Sequence, residues 1–243
     1  MAKIKVIGTG GIGLCVLPTL CRYVNYETDI FPEADVHLID GDTFEEKNRN
    51  RQEFSEIGPK ATQTANDLRA KFPRISLHDH ATFVDEDNVI RFLREGDIVM
   101  LCVDNHKTRK IISDRACELK NITIISGGND RHDGNVLTHI RRDGRDITPP
   151  LASHYHPEIA NPTDMHPSEL AQAGTCVRMA AEVPQLVIVN NLIAANMLSM
   201  FYNLTDPVVY QERVMAKPQA YGEACSDMLS MKTVPMDRFP KKS

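Results

Sequence analysis

The order of apolar and polar positions along the chain alternates between two periods. Ile4-Lys5-Val6-Ile7 is a short β-rich run that stops at Gly8, and beyond Gly13 an apolar stretch from Leu14 to Tyr26 reads as a helix. Val36 to Ile39 forms a second strand ending in Asp40, and Pro59 to Lys71 reads as a helix with proline at an early position, where the missing N–H costs nothing. A third strand is expected at Ile75 to His80 and a helix at Asp85 to Arg94. Asp97 to Val103 is nearly continuous in apolar residues, as a strand covered on both faces must be. His106 to Leu119 follows as a helix, Ile122 to Ile125 as a strand, and Gly134 to Arg142 as a further, antiparallel strand. The alternation predicts an α/β fold: a Rossmann-like, doubly wound, mostly parallel sheet with antiparallel additions.

The pattern then changes. From Asp143 to Thr175 periodicity fades, and Pro149, Pro150, Pro157, Pro162 and Pro167 are interspersed with His154, His156 and His166. Long irregular connections of this kind are functional more often than ornamental. A helix-rich part follows, with its most apolar run from Gln185 to Tyr202. No repeat or low-complexity linker interrupts the chain. We therefore read residues 1–243 as one domain: a nucleotide-binding core (1–142), a crossover loop (143–175) and a helical C-terminal part (176–243).

Composition narrows the function. The 243 residues carry a formal net charge of −5 and no long basic run, which argues against a nucleic-acid binder. The apolar run contains Asn190, Asn191 and Asn196, so a buried helix is expected there rather than a membrane span. The first strand follows Met1-Ala2-Lys3 directly, with no signal-peptide pattern, and the six cysteines form no Cys-x-x-Cys pair. A cytoplasmic protein with reduced thiols, and no structural zinc, is the expectation.

Gly8-Thr9-Gly10-Gly11-Ile12-Gly13 fits G-x-G-x-x-G between a strand and a helix. Glycines there let backbone approach phosphate, and the helix N-terminus presents free N–H groups. By itself the loop says only "nucleotide": an NAD-dependent oxidoreductase also places an acid where Asp40 stands. The polar run from Asp40 through Asp42, Asn48 and Arg51 to Gln52 is one that a dehydrogenase has no need for.

That run resembles the D-x-D-x5-N-x-x-R-Q signature of the ThiF/MoeB and ubiquitin-activating enzyme family, matched without a gap. Gly58-Pro59-Lys60-Ala61 is similar to that family's lysine at the start of the next helix, and Asp97 to Arg109 to its D-x-V-x4-D-N-x3-R segment, with Asp104, Asn105 and Arg109 in place. The resemblance implies an adenylyltransferase acting on the C-terminal carboxylate of a ubiquitin-like or sulfur-carrier protein that ends in glycine, with a conjugating enzyme as a further partner in some pathways. It implies ATP and Mg²⁺ as cofactors and a homodimer. Asp40 would hold the ribose, Asn48, Arg51 and Lys60 would surround the triphosphate, and Asp104 would bring in Mg²⁺. The chemistry agrees. Two anions meet when a carboxylate attacks the α-phosphate, and fixed cations lower that barrier. Arg51 can fork onto phosphate oxygens, Lys60 acts as a point charge, and a carboxylate suits Mg²⁺.

Other readings of the same residues are a solvated polar face for Asn48 to Arg51, a surface lysine at 60, and helix capping by Asp104-Asn105. A non-catalytic scaffold would keep the fold without needing these residues. The chain departs from many bacterial members in having no Cys-x-x-Cys pairs, and with the first strand read from Ile4 the N-terminal helix of some members is not expected. Cys176, just before the apolar helix and near Arg178, is the candidate thioester nucleophile, with Cys225 behind it. His154-x-His156 spacing can bind zinc, but no cysteine or patterned carboxylate accompanies it. A loop that closes over a bound peptide tail is the preferred reading of that segment.

Overall fold

Strand β1 (Ile4–Ile7) runs up the middle of a sheet whose neighbours are β2 (Ala34–Ile39) and β6 (Ile98–Leu101), both parallel to it. This is a computed structural model, which describes residues 3–50, 52–130, 132–172 and 187–227. Among them the sheet has the order β10-β8-β7-β6-β1-β2-β5, with β5 at Ile75–His80, β7 at Ile122–Asn129, β8 at Asp133–Arg142 and β10 at Glu223–Asp227. The strands from β5 to β7 are parallel, and β8 and β10 add on antiparallel. A small hairpin, β9 (Arg145–Asp146), continues β8.

Alternation along the strands sends side chains to two different cores. Ile4, Val6, Val36, Leu38 and Met100 face α1 (Gly11–Tyr26), α2 (Lys60–Arg69) and α7 (Val187–Thr205). Ile7, Ile39, Val99, Leu101 and Ile124 face α3 (Val89–Phe92), α4 (His106–Glu118) and the buried Leu151 and Ile159 of the crossover. Being covered on both faces is what made Asp97 to Val103 so continuously apolar. Helix α7 is long and apolar enough to cross a membrane by length and composition. In the fold its buried side, from Val189 through Ile193 and Met197 to Leu204, packs into the first core.

Three elements differ from the pattern-based reading, each for a local reason. Helix α3 is much shorter than Asp85 to Arg94, because side chains claim the backbone that would start it. The Asp85 carboxylate accepts from the N–H groups of Asp87 and Asn88, and the Asn88 side chain accepts from that of Asp85. The crossover is more ordered than its composition implies. Pro157 and Pro167 open the short helices α5 (Pro157–Ala160) and α6 (Pro167–Gln172), where the fixed φ of proline favours a first turn. The segment is sewn to the core as well: the Thr148 hydroxyl donates to the Thr138 carbonyl at 2.6 Å, and the Ala152 N–H donates to Ser113 Oγ at 3.0 Å. Finally, the C-terminal part holds a strand as well as helices. β10 pairs residue for residue with β8, from Glu223 opposite Leu137 to Asp227 opposite Asp133.

The glycine turn between β1 and α1 shows unequal demands on its glycines. Gly8 has φ +90°, and a Cβ there would sit 2.7 Å from the Cys102 carbonyl oxygen. A Cβ on Gly13 would run into the Gly8 carbonyl oxygen itself, so helix and strand could not approach as they do. A Cβ on Gly10 would meet only Gln52 Nε2, at 3.7 Å. We expect Gly13→Ala to lose about 1–3 kcal/mol of stability through overpacking, and Gly10→Ala to unfold in urea close to wild type. Equal stabilities for the two variants would contradict this account of the turn.

Candidate functional site

At the carboxyl ends of the parallel strands lies a cleft of about 1720 Å³, lined by the glycine turn, by Asp40 to Thr43, by Asn48, Gln52 and Lys60, and by Asp104 and Asn105. A crevice there is where open α/β sheets bind ligands. The structure thus brings together Gly8, Gly10, Gly11, Asp40, Asp42, Asn48, Gln52, Lys60, Asp104 and Asn105, whereas Gly13 packs against the Gly8 carbonyl instead of lining the cleft. Arg51 and Cys176 lie outside the described residues.

Asp40 is buried at the end of β2 and does more than face the cleft. Its Oδ2 accepts from the Thr9 N–H at 2.6 Å and the Thr9 hydroxyl at 3.0 Å, and its Oδ1 accepts from the Asp42 N–H at 2.8 Å. The carboxylate therefore ties the glycine turn to the loop after β2. Burial pushes its pKa up, while Lys60 and the N–H donors oppose the rise. Thr9 carried no signal of its own in the motif, where it fills an x position.

Lys60 is the first residue of α2 and is buried, not a surface lysine. Its N–H donates to the Asp42 carbonyl at 2.8 Å, and its Nζ reaches Asp42 Oδ2 at 3.0 Å. The short pair of β3 (Thr43–Phe44) with β4 (Gly58–Pro59) sets this register by placing Thr43 opposite Pro59. Asp42 is half exposed, so the ammonium is paired at the cleft wall rather than sealed away.

Between these strands the polar run folds into a 3₁₀ turn, Glu46–Asn50. Asn48 is buried, and its Oδ1 accepts from the Glu45 N–H at 2.9 Å, so it shapes the turn as well as lining the cleft. Arg49 is engaged elsewhere. It pairs with Glu46, donates to the Phe54 carbonyl at 3.2 Å, and lies 4.5 Å over the Phe54 ring, which stacks on Phe44. Gln52 carries a buried side-chain oxygen with no hydrogen-bond partner.

On the opposite wall, Asp104 is exposed to the cleft. Asn105 caps α4, its Oδ1 accepting from the Thr108 N–H at 2.8 Å, as a helix-capping residue would. Its Nδ2 remains buried and unpartnered. Arg109 is buried, with its pKa lowered by burial, and spends its Nη2 on the carbonyls of Val103 at 2.9 Å and Gly127 at 3.0 Å. It is a brace that holds the ends of β6 and β7, not a mobile cation.

The crossover forms the outer wall. Asp164 accepts from the N–H groups of His106 and Lys107 at the start of α4, and Glu169 pairs with Lys107 at 2.6 Å. His166 is buried and fully engaged, between the Val84 carbonyl and Ser168 Oγ, while His156 pairs with Glu158 and Glu223. His156 and His166 thus have separate partners, and His154 lies against the Tyr155 ring. Asn190 of α7, which the motifs missed, supports the cleft from behind: it accepts from Asn129 Nδ2 at 2.9 Å and lies against Gly11. Its only sequence signal was a polar residue in an apolar helix. Cys225 and Ser226 of β10 also line the cleft. Cys102 is buried, and burial pushes its pKa up to about 12.

Comparison with known proteins bears on the family and the fold. The SUMO-activating enzyme subunit uba-2 of Caenorhabditis elegans is 30% identical over 145 residues, 58% of this chain and 23% of that protein. The SAMP-activating enzyme E1 of Haloferax volcanii is 26% identical over 141 residues, 56% of this chain and 49% of that protein. The chain spans at most about half the length of such relatives. Among solved structures, E. coli MccB with ATP superposes with a TM-score of 0.62 at 18% identity, covering 84% of this chain and 55% of that one, which shows a shared fold. The ThiF family model matches residues 1–218, and the chain belongs to the ThiF family.

Proposed function

We propose that this protein is an ATP-dependent adenylyltransferase that activates the C-terminal carboxylate of a ubiquitin-like or sulfur-carrier protein. One observation carries the reading. Lys60 is a buried ammonium at a helix N-terminus, across the cleft from an exposed Asp104, with the glycine turn fixed between them by Asp40. A redox site for NAD would require neither the cation nor the second acid. The family's activating enzymes support the class of reaction. MccB, whose structures include complexes with MccA and with ATP, supports a fold able to serve it.

In the proposed reaction a carboxylate oxygen forms a bond to the α-phosphorus, the bond from that phosphorus to the bridging oxygen breaks, and pyrophosphate leaves with the electron pair. Asp40 keeps the backbone N–H groups of the turn in place and offers its remaining lone pairs to ribose hydroxyls. Lys60 exchanges Asp42 for a phosphate oxygen. Asn105 Nδ2 and Gln52 supply polar groups that have no partner within the protein. Arg51 would add a forked cation. The donor set fits Mg²⁺, with Asp104 as its carboxylate; when bound, the ion would neutralise phosphate charge. The crossover, with Asp164 and Met165 on the cleft wall, covers the path of the incoming peptide tail. Cys176 is assigned the thioester step, in which its thiolate displaces AMP from the acyl-adenylate. The exposed Ile188 and Tyr202 of α7 offer a surface for a second copy of the chain.

Three outcomes are expected. ATP should raise the melting temperature and NAD should not; the reverse would favour the oxidoreductase. Lys60→Ala and Asp104→Ala should each lower carboxylate-dependent ATP–pyrophosphate exchange on the order of 10²-fold or more with circular dichroism unchanged. Wild-type exchange in both would remove the assignment. With ATP and a protein ending in Gly-Gly, mass spectrometry should find a DTT-sensitive adduct on Cys176; an adduct elsewhere, or none, counts against that residue.

A further inference from the structure

On the face of the sheet opposite α1, strands β2 and β5 bring together residues far apart in sequence. Parallel register sets His37 beside His78 and Ile39 beside His80, and alternation puts Asp35 on the same face as His37. The imidazoles stack, with 4.6 Å between the centroids of His37 and His78 and 5.3 Å between those of His37 and His80. Asp35, His37, His78 and His80 do not line the cleft at the carboxyl ends of the strands.

We propose that Asp35, His37 and His78 form a binding site for a divalent zinc-type cation. One oxygen, Asp35 Oδ1, lies 3.2 Å from His37 Nε2 and 2.9 Å from His78 Nε2. Ligand atoms around tetrahedral zinc, with bonds of about 2.0–2.1 Å, stand about 3.3 Å apart. Asp35 Oδ1 and His37 Nε2 are both buried, yet neither makes a hydrogen bond, although they are close enough for one. Their mutual direction is wrong for a shared proton. A shared cation would give both atoms a partner.

The surroundings orient both ligands. His37 Nδ1 is 3.0 Å from His80 Nε2, so a His37 proton on Nδ1 can be donated there, which leaves Nε2 its lone pair. The other Asp35 oxygen is held by Lys3 Nζ at 2.8 Å. His78 is half exposed, which leaves the remaining coordination position open to solvent. Two imidazoles, one carboxylate and an open position are a recurrent zinc donor set. A bound ion would tie the edge strand β5 to β2. This inference is independent of the adenylation reading.

The test uses the untagged full chain, stripped with chelator and titrated with ZnCl₂ by calorimetry, then with Co²⁺ by absorption. We expect one zinc equivalent, a tetrahedral Co²⁺ spectrum without a thiolate charge-transfer band, and a higher melting temperature with zinc. His78→Ala, at a half-exposed side chain, should fold and weaken zinc binding at least about tenfold, and Asp35→Asn should do so too. Asp104→Ala and the double variant His154→Ala/His156→Ala should leave it unchanged. No zinc uptake by the wild type, a thiolate band, or full affinity in folded His78→Ala would overturn the site. Loss of pyrophosphate exchange in Asp104→Ala with zinc binding intact would separate the two sites.

Discussion

The architecture of the cleft hangs on one buried carboxylate. Asp40 stands at the end of β2 and gathers three donors, two from Thr9 and one from Asp42. Without it, two adjacent loops at the sheet's carboxyl edge would leave buried N–H groups without acceptors. With it, the glycine turn takes one shape and the chain after β2 leaves in the direction that carries Asp42 to Lys60. The cost is a charge held away from water, offset by hydrogen bonds and by the nearby ammonium. A glycine turn that any nucleotide-binding fold could own is thereby coupled to a cation that few of them have.

Much of this was legible in the residues. Strands buried on both faces announce themselves, and Ile75–His80 was delimited by pattern alone. The motif residues were legible because several functional groups had to stand at fixed spacings on successive elements, and the fold gathers them in one cleft. The pattern could not show how they are divided between building and binding. Asn48, Asn105 and Arg109 each hold backbone in place, and only the structure shows which of their atoms are left over.

What stayed hidden has a common physical character. β10 is specified by backbone pairing to an exposed edge, so Glu223 to Asp227 shows no apolar alternation. The start of α3 is set by side chains that compete for its first N–H groups, a contest invisible to periodicity. Asn190 works through a tertiary contact with Asn129. The histidines of β2 and β5 become neighbours only through parallel register, so spacing along the chain could not join His37 to His78. Sequence reading succeeds where chemistry is local and fails where it is assembled across strands.

The pairing of Lys60 with Asp42 has a consequence for how the cleft meets an anion. The resting protein presents no naked positive charge at this point, because the ammonium is already neutralised by a neighbour three ångströms away. Docking a polyanion there is an exchange of one oxygen partner for another. Asp42, half exposed, can turn towards water as it is displaced. If the proposed function holds, discrimination would rest on which anion can out-compete a tethered carboxylate, and a weakly charged or poorly aligned ligand would be turned away by the protein's own acid.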